Sequence, residues 1–118
     1  MEKKYPDITK NILEYLKEIK TYVPEVMHGS YNLSQAAFKE GSITNKTKEM
    51  FALALAVATR CDGCIGFHAE ALVKLGATKR EIAEILGVAI YMGGGPSLMT
   101  AAEAMKAFDQ FLQLHEQN

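Results

Sequence analysis

Apolar residues recur at spacings of three and four almost from one end of this chain to the other, and no strand-type alternation competes with them. That pattern rules out a sheet-based core and predicts helices packed on helices. Ile8, Ile12, Tyr15, Leu16, Ile19 and Val23 give a first helix one apolar face. Pro24 suits the first turn of a second helix that runs to about Lys39 and carries Val26, Leu33, Ala37 and Phe38. Gly41-Ser42 breaks the pattern, and Thr44 or Asn45 can cap a third helix reaching Thr59. After Glu49 that helix is apolar nearly all round, as expected of one packed on several sides. A fourth begins within Arg60-Cys61-Asp62-Gly63-Cys64 and continues to Leu75, where Gly76 supplies a left-handed cap. Thr78-Lys79-Arg80-Glu81 is a capping box for a fifth, carrying Ile82, Ile85, Leu86, Ala89 and Ile90. Gly93-Gly94-Gly95 ends it and Pro96 opens a sixth, with Leu98, Ala101, Met105, Phe108 and Leu112 as its stripe. No linker and no internal repeat interrupts the series. The expectation is one all-α domain over residues 1–118, a single-domain bundle of about six helices.

A chain of 118 residues can bury about two thirds of its unfolded surface, so it needs no disulfide staples. Its 13 basic and 14 acidic side chains are interspersed along the length. There is no basic footprint for nucleic acid or an anionic membrane, so neither is expected as a partner. The first residues contain no apolar run, which predicts no signal peptide. The longest apolar stretch, Met50 to Ala58, falls far short of the roughly 20 residues of a membrane span. A cytoplasmic location is the expectation.

The sharpest chemical feature is Cys61-x-x-Cys64-x-x-x-His68. At about 100° per residue all three side chains share one helix face. The cysteines fall at a helix N-terminus, where free amides and the positive end of the dipole favour a thiolate over a thiol. A nearby imidazole can take or return the proton. One thiolate reacting with an oxidant, then attacked by the other thiol, would form a disulfide that a reductant must reopen. Two blander readings compete. Cysteine is often a small core hydrophobe, and Cys/Cys/His can bind zinc, with His28 or Glu49 completing the set. Glu49 itself either orients His68, if the third and fourth helices are neighbours, or merely favours an early helical turn as a negative charge.

Lys48-Glu49 with its apolar helix, Cys61-x-x-Cys64-x-x-x-His68, and Ala71-x-x-x-x-Gly76-Ala77-Thr78-x-x-Glu81-Ile82 together resemble the alkylhydroperoxidase-D/carboxymuconolactone decarboxylase family, over about residues 44–105. The Glu-x11-Cys-x2-Cys-x3-His spacing is that of its redox-active branch. The resemblance implies an all-helical domain assembling into homotrimers or homohexamers, with thiol-dependent peroxidase or disulfide reductase activity. It implies that Cys64 attacks peroxide and becomes a sulfenic acid, that Cys61 is the resolving thiol and proton donor, and that Glu49 and His68 form a proton relay. Those four are the candidate catalytic residues. The best-known members carry a histidine just before the second cysteine; here that position is Gly63. The decarboxylase branch generally lacks the cysteine pair, and its anionic substrate calls for cations, whereas this chain has only Arg60 and Arg80 as arginines.

Other features carry less. Gly93-Gly94-Gly95 has no preceding strand and no following Lys-Ser/Thr, so it reads as a helix connection and not a phosphate loop. His28 and His115 are isolated, and the six methionines are core filler. Tyr91 is the one tyrosine expected near the redox half of the core. Helices apolar on several faces point to homo-oligomerisation. The reading is therefore an antioxidant oxidoreductase acting on a hydroperoxide or disulfide substrate, with an unidentified thiol reductant and no cofactor. The alternatives are an oligomeric redox-sensor or zinc-binding module and, behind it, a lactone decarboxylase.

Overall fold

Six α-helices follow one another with connections of one to six residues in the computed structural model, which describes residues 2–117. They are α1 (Tyr5–Tyr22), α2 (Pro24–Phe38), α3 (Asn45–Thr59), α4 (Asp62–Lys74), α5 (Lys79–Gly93) and α6 (Gly95–Gln117). The order and approximate bounds are those the periodicity predicts, and the fold is all-α.

Local chemistry explains the boundaries. Thr44 is the N-cap of α3, its side chain accepting from the Thr47 amide at 3.2 Å. Asn45 instead donates from its side-chain amide to the Phe38 carbonyl, tying the end of α2 to the start of α3. The Thr78/Glu81 capping box forms in both directions, and the Lys46 ammonium also pairs with Glu81. Gly76 is left-handed at φ 78°. The amides of Gly76 and Ala77 close back onto Val73 and Leu72, which satisfies the last carbonyls of α4.

The α3–α4 connection uses the same device without a glycine. Arg60 sits at φ 55°, ψ 49°; its amide reaches the Val57 carbonyl and that of Cys61 reaches Ala56. Two residues thus turn the chain from one helix into the next.

Helix α4 lies at the centre, packed against α1, α3 and α6. Its Ile65, Ala69 and Leu72 join Leu53 and Val57 of α3, Ile82 of α5 and Phe108 of α6 in the fully or nearly fully buried core. Ala101, Ala104 and Ala107 let α6 come close. On its other side α4 presents Gly63 and Gly66 to α1. A Cβ at Gly66 would stand 2.6 Å from the Thr9 methyl and 3.6 Å from the Tyr5 ring; at Gly63 it would stand 2.6 Å from the terminal methyl of Ile12.

Expectations about burial need correcting on four helices. Helix α1 seats Tyr5 and Thr9 in the core, while Tyr15, Ile19 and Val23 of the expected face are exposed. Helix α2 buries no residue at all, and Val26 and Leu33 are exposed. On α3, Phe51 and Leu55 face outward, and on α6 Leu98 is half exposed while Ser97, Thr100 and Phe111 are buried. The common reason is geometric: six helices of one chain leave α2 and the outer side of α3 without a covering layer. Among the described residues no helix is long and apolar enough to cross a membrane.

Gly66→Ala should destabilise the fold by about 1–3 kcal/mol in urea denaturation, because the β-branched Thr9, held by its hydroxyl to the Pro6 carbonyl, cannot rotate away. Gly63→Ala should cost less, since the far end of Ile12 can swing aside.

Candidate active site

The two-residue α3–α4 connection makes Cys61 the N-cap of α4, with extended backbone at φ −103°, ψ 101°. Its Sγ accepts from the Cys64 amide at 3.2 Å, and the two sulfurs are joined in a disulfide with the Cα atoms 5.2 Å apart. The short helical turn between them supplies that separation. Negative charge appearing on Cys61 when the bond opens meets a free helical amide and the positive end of α4. Both cysteines are half-buried, and Cys64 packs against the hydrophobic core.

His68 follows Cys64 by four residues, the spacing at which helix side chains are neighbours. Glu49 lies 19 residues earlier on α3, and the helix packing brings its carboxylate within 2.6 Å of His68 Nδ1. Both side chains are largely shielded, at 13% and 26% exposure. With Nδ1–H donating to Glu49, Nε2 is free to take or return a proton. The packing of α3 against α4 thus engages the Glu49 carboxylate with the His68 ring across the helix pair.

Phe38 stacks on the His68 ring, with centroids 5.6 Å apart and planes 26° from parallel. Its position on α2 marked it only as part of an apolar face. Together with Ser34, Gln35, Lys39 and Asn45 it lines an open cleft of about 490 Å³, which Glu49 and His68 also line. Among those lining residues Lys39 is the single lysine or arginine. Arg80 is exposed and paired with Glu84, and Arg60 is exposed at the α3 terminus. His28 and His115 are exposed. Among the described residues no group of three or more His, Cys, Asp or Glu side chains is arranged to hold a metal ion. The triple glycine is a helix connection: Gly94 takes φ 71° and its amide bonds Ile90, while a Cβ on Gly93 would collide with buried Ser97.

A second polar group flanks the cysteines, and no residue spacing signals it. The tyrosine at the redox end is Tyr5, fully buried; Tyr91, expected there, is exposed. The Tyr5 hydroxyl lies 2.7 Å from Glu103 Oε2 and 3.2 Å from Asp62 Oδ1, and it donates to the nearer carboxylate. The Lys3 ammonium bridges the same two acids, at 2.8 Å from Glu103 and 3.1 Å from Asp62. Burial, then the bond to Glu103, pushes the Tyr5 phenol well above its ordinary value. The bond from Lys3, then that from Tyr5, holds Glu103 below the usual carboxylate range. Residues 57 and 98 positions away from Tyr5 cannot be paired by pattern.

With this geometry in hand, comparison places the chain among known proteins. The profile of the carboxymuconolactone decarboxylase family matches residues 24–107, and the chain belongs to that family. It is 55% identical to the apo form of a carboxymuconolactone decarboxylase family protein from Legionella pneumophila, whose crystal structure superposes with a TM-score of 0.90 over 92% of this chain and 96% of that one. A family member from Thermotoga maritima, described as a candidate for involvement in the antioxidative response, is 26% identical with a TM-score of 0.78 over 91% and 94% of the two chains. An uncharacterised protein of Cupriavidus necator is 40% identical over 86 residues, 73% of this chain and 76% of its own length. Helix α1 precedes the residues matched by the family profile.

The raised Tyr5 value has a definite sign. The folded state keeps the phenolic proton above pH 10 while the unfolded chain loses it, so this contribution is intact below pH 10 and declines as pH rises above it. Tyr5→Phe should therefore flatten the fall of stability between pH 10 and 12 by up to about 1.4 kcal/mol per pH unit. Denaturation midpoints across that range measure it.

Proposed function

We propose that this chain is a thiol-dependent antioxidant oxidoreductase that reduces hydroperoxides or a partner's disulfide through Cys61 and Cys64. The observation that carries the reading is the Cys61–Cys64 disulfide at the start of α4, one turn from a His68–Glu49 hydrogen bond of 2.6 Å. The link of the Thermotoga relative to antioxidative response supports the same class.

In the forward cycle Cys64 is the attacking sulfur and His68, oriented by Glu49, takes its proton. Thiolate attack breaks the peroxide O–O bond and forms an S–O bond; the departing alkoxide takes the proton back from His68 and leaves as an alcohol. Cys61 then attacks the sulfenic sulfur, the S–S bond forms and water departs. An external dithiol reopens the disulfide, supplying two electrons and becoming oxidised itself. Cys61, capped by the Cys64 amide, is the natural leaving thiolate in that step. Phe38 covers one side of the imidazole and the cleft beside it admits the substrate. A cycle that depends on a thiol reductant belongs in a reducing compartment, so we assign it to the cytoplasm. Gly63 leaves no imidazole between the cysteines, and the proton traffic falls to His68 with Glu49 and to the Cys61 thiol.

Homo-oligomerisation is part of the proposal. The single chain exposes 7886 Å², against about 6,300 Å² for a compact monomer of 13.0 kDa. Its radius of gyration is 14.6 Å, against about 13.5 Å for a compact domain of this length. The excess coincides with exposed Val26 and Leu33 on α2 and Phe51 and Leu55 on α3. A second copy of this nearly neutral chain is the occupant assigned to that apolar face.

One equivalent of an organic hydroperoxide should remove two thiols from the reduced protein and lower its mass by two units. Cys64→Ser should abolish turnover, and peroxide-dependent activity retained in that variant would overturn the assignment. His68→Ala should slow the reaction mainly near neutral pH, so an unchanged pH–rate profile would remove the relay. Light scattering should return three or six times the 13.0 kDa chain mass; a monomer would reject the assembly.

A further inference from the structure

Between the two cysteines stands Asp62, and its carboxylate is the one anion in the first turn of α4. It therefore shares the helix N-terminus with the Cys61 sulfur. Two negative charges at one helix end oppose each other, and each weakens the benefit the other draws from the dipole. An unpaired Asp62 would disfavour a thiolate at Cys61, and so would disfavour the reduced pair relative to the disulfide.

Asp62 is not unpaired. Lys3 Nζ lies 3.1 Å from Oδ2 and 3.4 Å from Oδ1. The ammonium is kept there by Glu103 at 2.8 Å, and Glu103 is in turn fixed by the buried Tyr5 hydroxyl at 2.7 Å. Gln110 completes the clamp: its side chain accepts from the Tyr5 amide at 2.8 Å and donates to the Lys3 carbonyl at 3.0 Å. The other charges near this group are Lys106, which acts on Glu103, and Glu2, which pairs with Lys106 at 3.5 Å. Tyr5 seats at the end of α1, whose close approach to α4 depends on Gly63 and Gly66. Among the described residues, no hydrogen bond or ion pair of this group reaches Glu49 or His68.

We propose that Lys3 and Tyr5 are positioning residues for the redox pair: Lys3 neutralises Asp62 beside Cys61, Tyr5 fixes the Glu103 carboxylate that holds the ammonium there, and together they stabilise the reduced form and make the disulfide easier to reduce. The proposal deepens the oxidoreductase reading and rests on it. The chemistry is a two-electron exchange in which an external dithiol is oxidised as the Cys61–Cys64 bond is broken, with Lys3 tilting that equilibrium toward the dithiol form. Lys3 and Tyr5 precede the residues of the family profile match, whereas Asp62 and Glu103, which they engage, lie within it.

The test is the equilibrium of the full-length protein with dithiothreitol redox buffers at pH 7, read by mass spectrometry after alkylation, for the wild type, Lys3→Met, Asp62→Asn and the double variant. Lys3→Met should shift the equilibrium about threefold or more toward the disulfide, because Asp62 is left unneutralised. Asp62→Asn should shift it the opposite way, and adding Lys3→Met to Asp62→Asn should change it little. The Lys3 effect should also shrink in 1 M salt, where the Debye length is about 3 Å. Lys3 is half exposed, so its variant folds, and far-UV circular dichroism checks that. Tyr5→Phe, which keeps the buried ring, should act in the same direction as Lys3→Met and more weakly. An equilibrium within 1.5-fold of wild type for Lys3→Met, or an equal effect in the Asp62→Asn background, would overturn the proposal and leave the group a structural brace. A pair that does not exchange with dithiol in the wild type would instead overturn the oxidoreductase reading itself.

Discussion

The two-residue turn at Arg60-Cys61 is the constraint on which the site depends. Closing α3 with a left-handed Arg60 and opening α4 with Cys61 as cap forces the two helices to run back against each other. That juxtaposition turns a separation of 19 residues into the 2.6 Å contact between Glu49 and His68. It also delivers the Cys61 sulfur to the amide of Cys64, where an emerging charge is stabilised. A longer loop would leave both relations to chance. A left-handed conformation at a non-glycine residue costs on the order of 1 kcal/mol, offset here by the carbonyls of Ala56 and Val57 that the turn satisfies.

Around this turn the molecule divides its functions by side. On one side of α4, α3 and the end of α2 supply Glu49 and Phe38, which set the orientation of His68 and border an open cleft. On the other, α1 and α6 supply Lys3, Tyr5 and Glu103, which set the charge environment of Asp62. On the proposed reading, proton handling and charge neutralisation reach the same pair of sulfurs from different helices. The glycines of α4 make the second arrangement possible, because only a helix without Cβ atoms at positions 63 and 66 admits Thr9, Tyr5 and Ile12 so closely. The absence of a histidine at position 63 has a packing counterpart here: the end of the Ile12 side chain occupies the space a Cβ would claim.

Much of the fold is legible in the sequence because its signals are local. Capping residues, Gly76 and the three-and-four spacing act within a turn or two, so helix order and bounds follow from neighbours in the chain. The faces were harder to assign. Periodicity shows that a helix has an apolar side without showing whether the same chain covers it. Tyr15, Ile19 and Val26 remain exposed for that reason, whereas Thr9 and Ser97, polar by type, are buried.

The candidate site divides along the same line. Cys61, Cys64 and His68 lie on one helix, and their spacing alone determines that they share a face at its N-terminal end. The contact of Glu49 with His68 needed the two helices to be neighbours, which the sequence posed only as a condition. Phe38 and the Lys3–Tyr5–Asp62–Glu103 group were decided by tertiary structure alone. Their members come from Lys3 ahead of α1 and from α1, α2, α4 and α6, up to 100 positions apart. No periodic pattern couples residues at that distance; only the packing of α1 and α6 against α4, and of α2 against α3, brings them together.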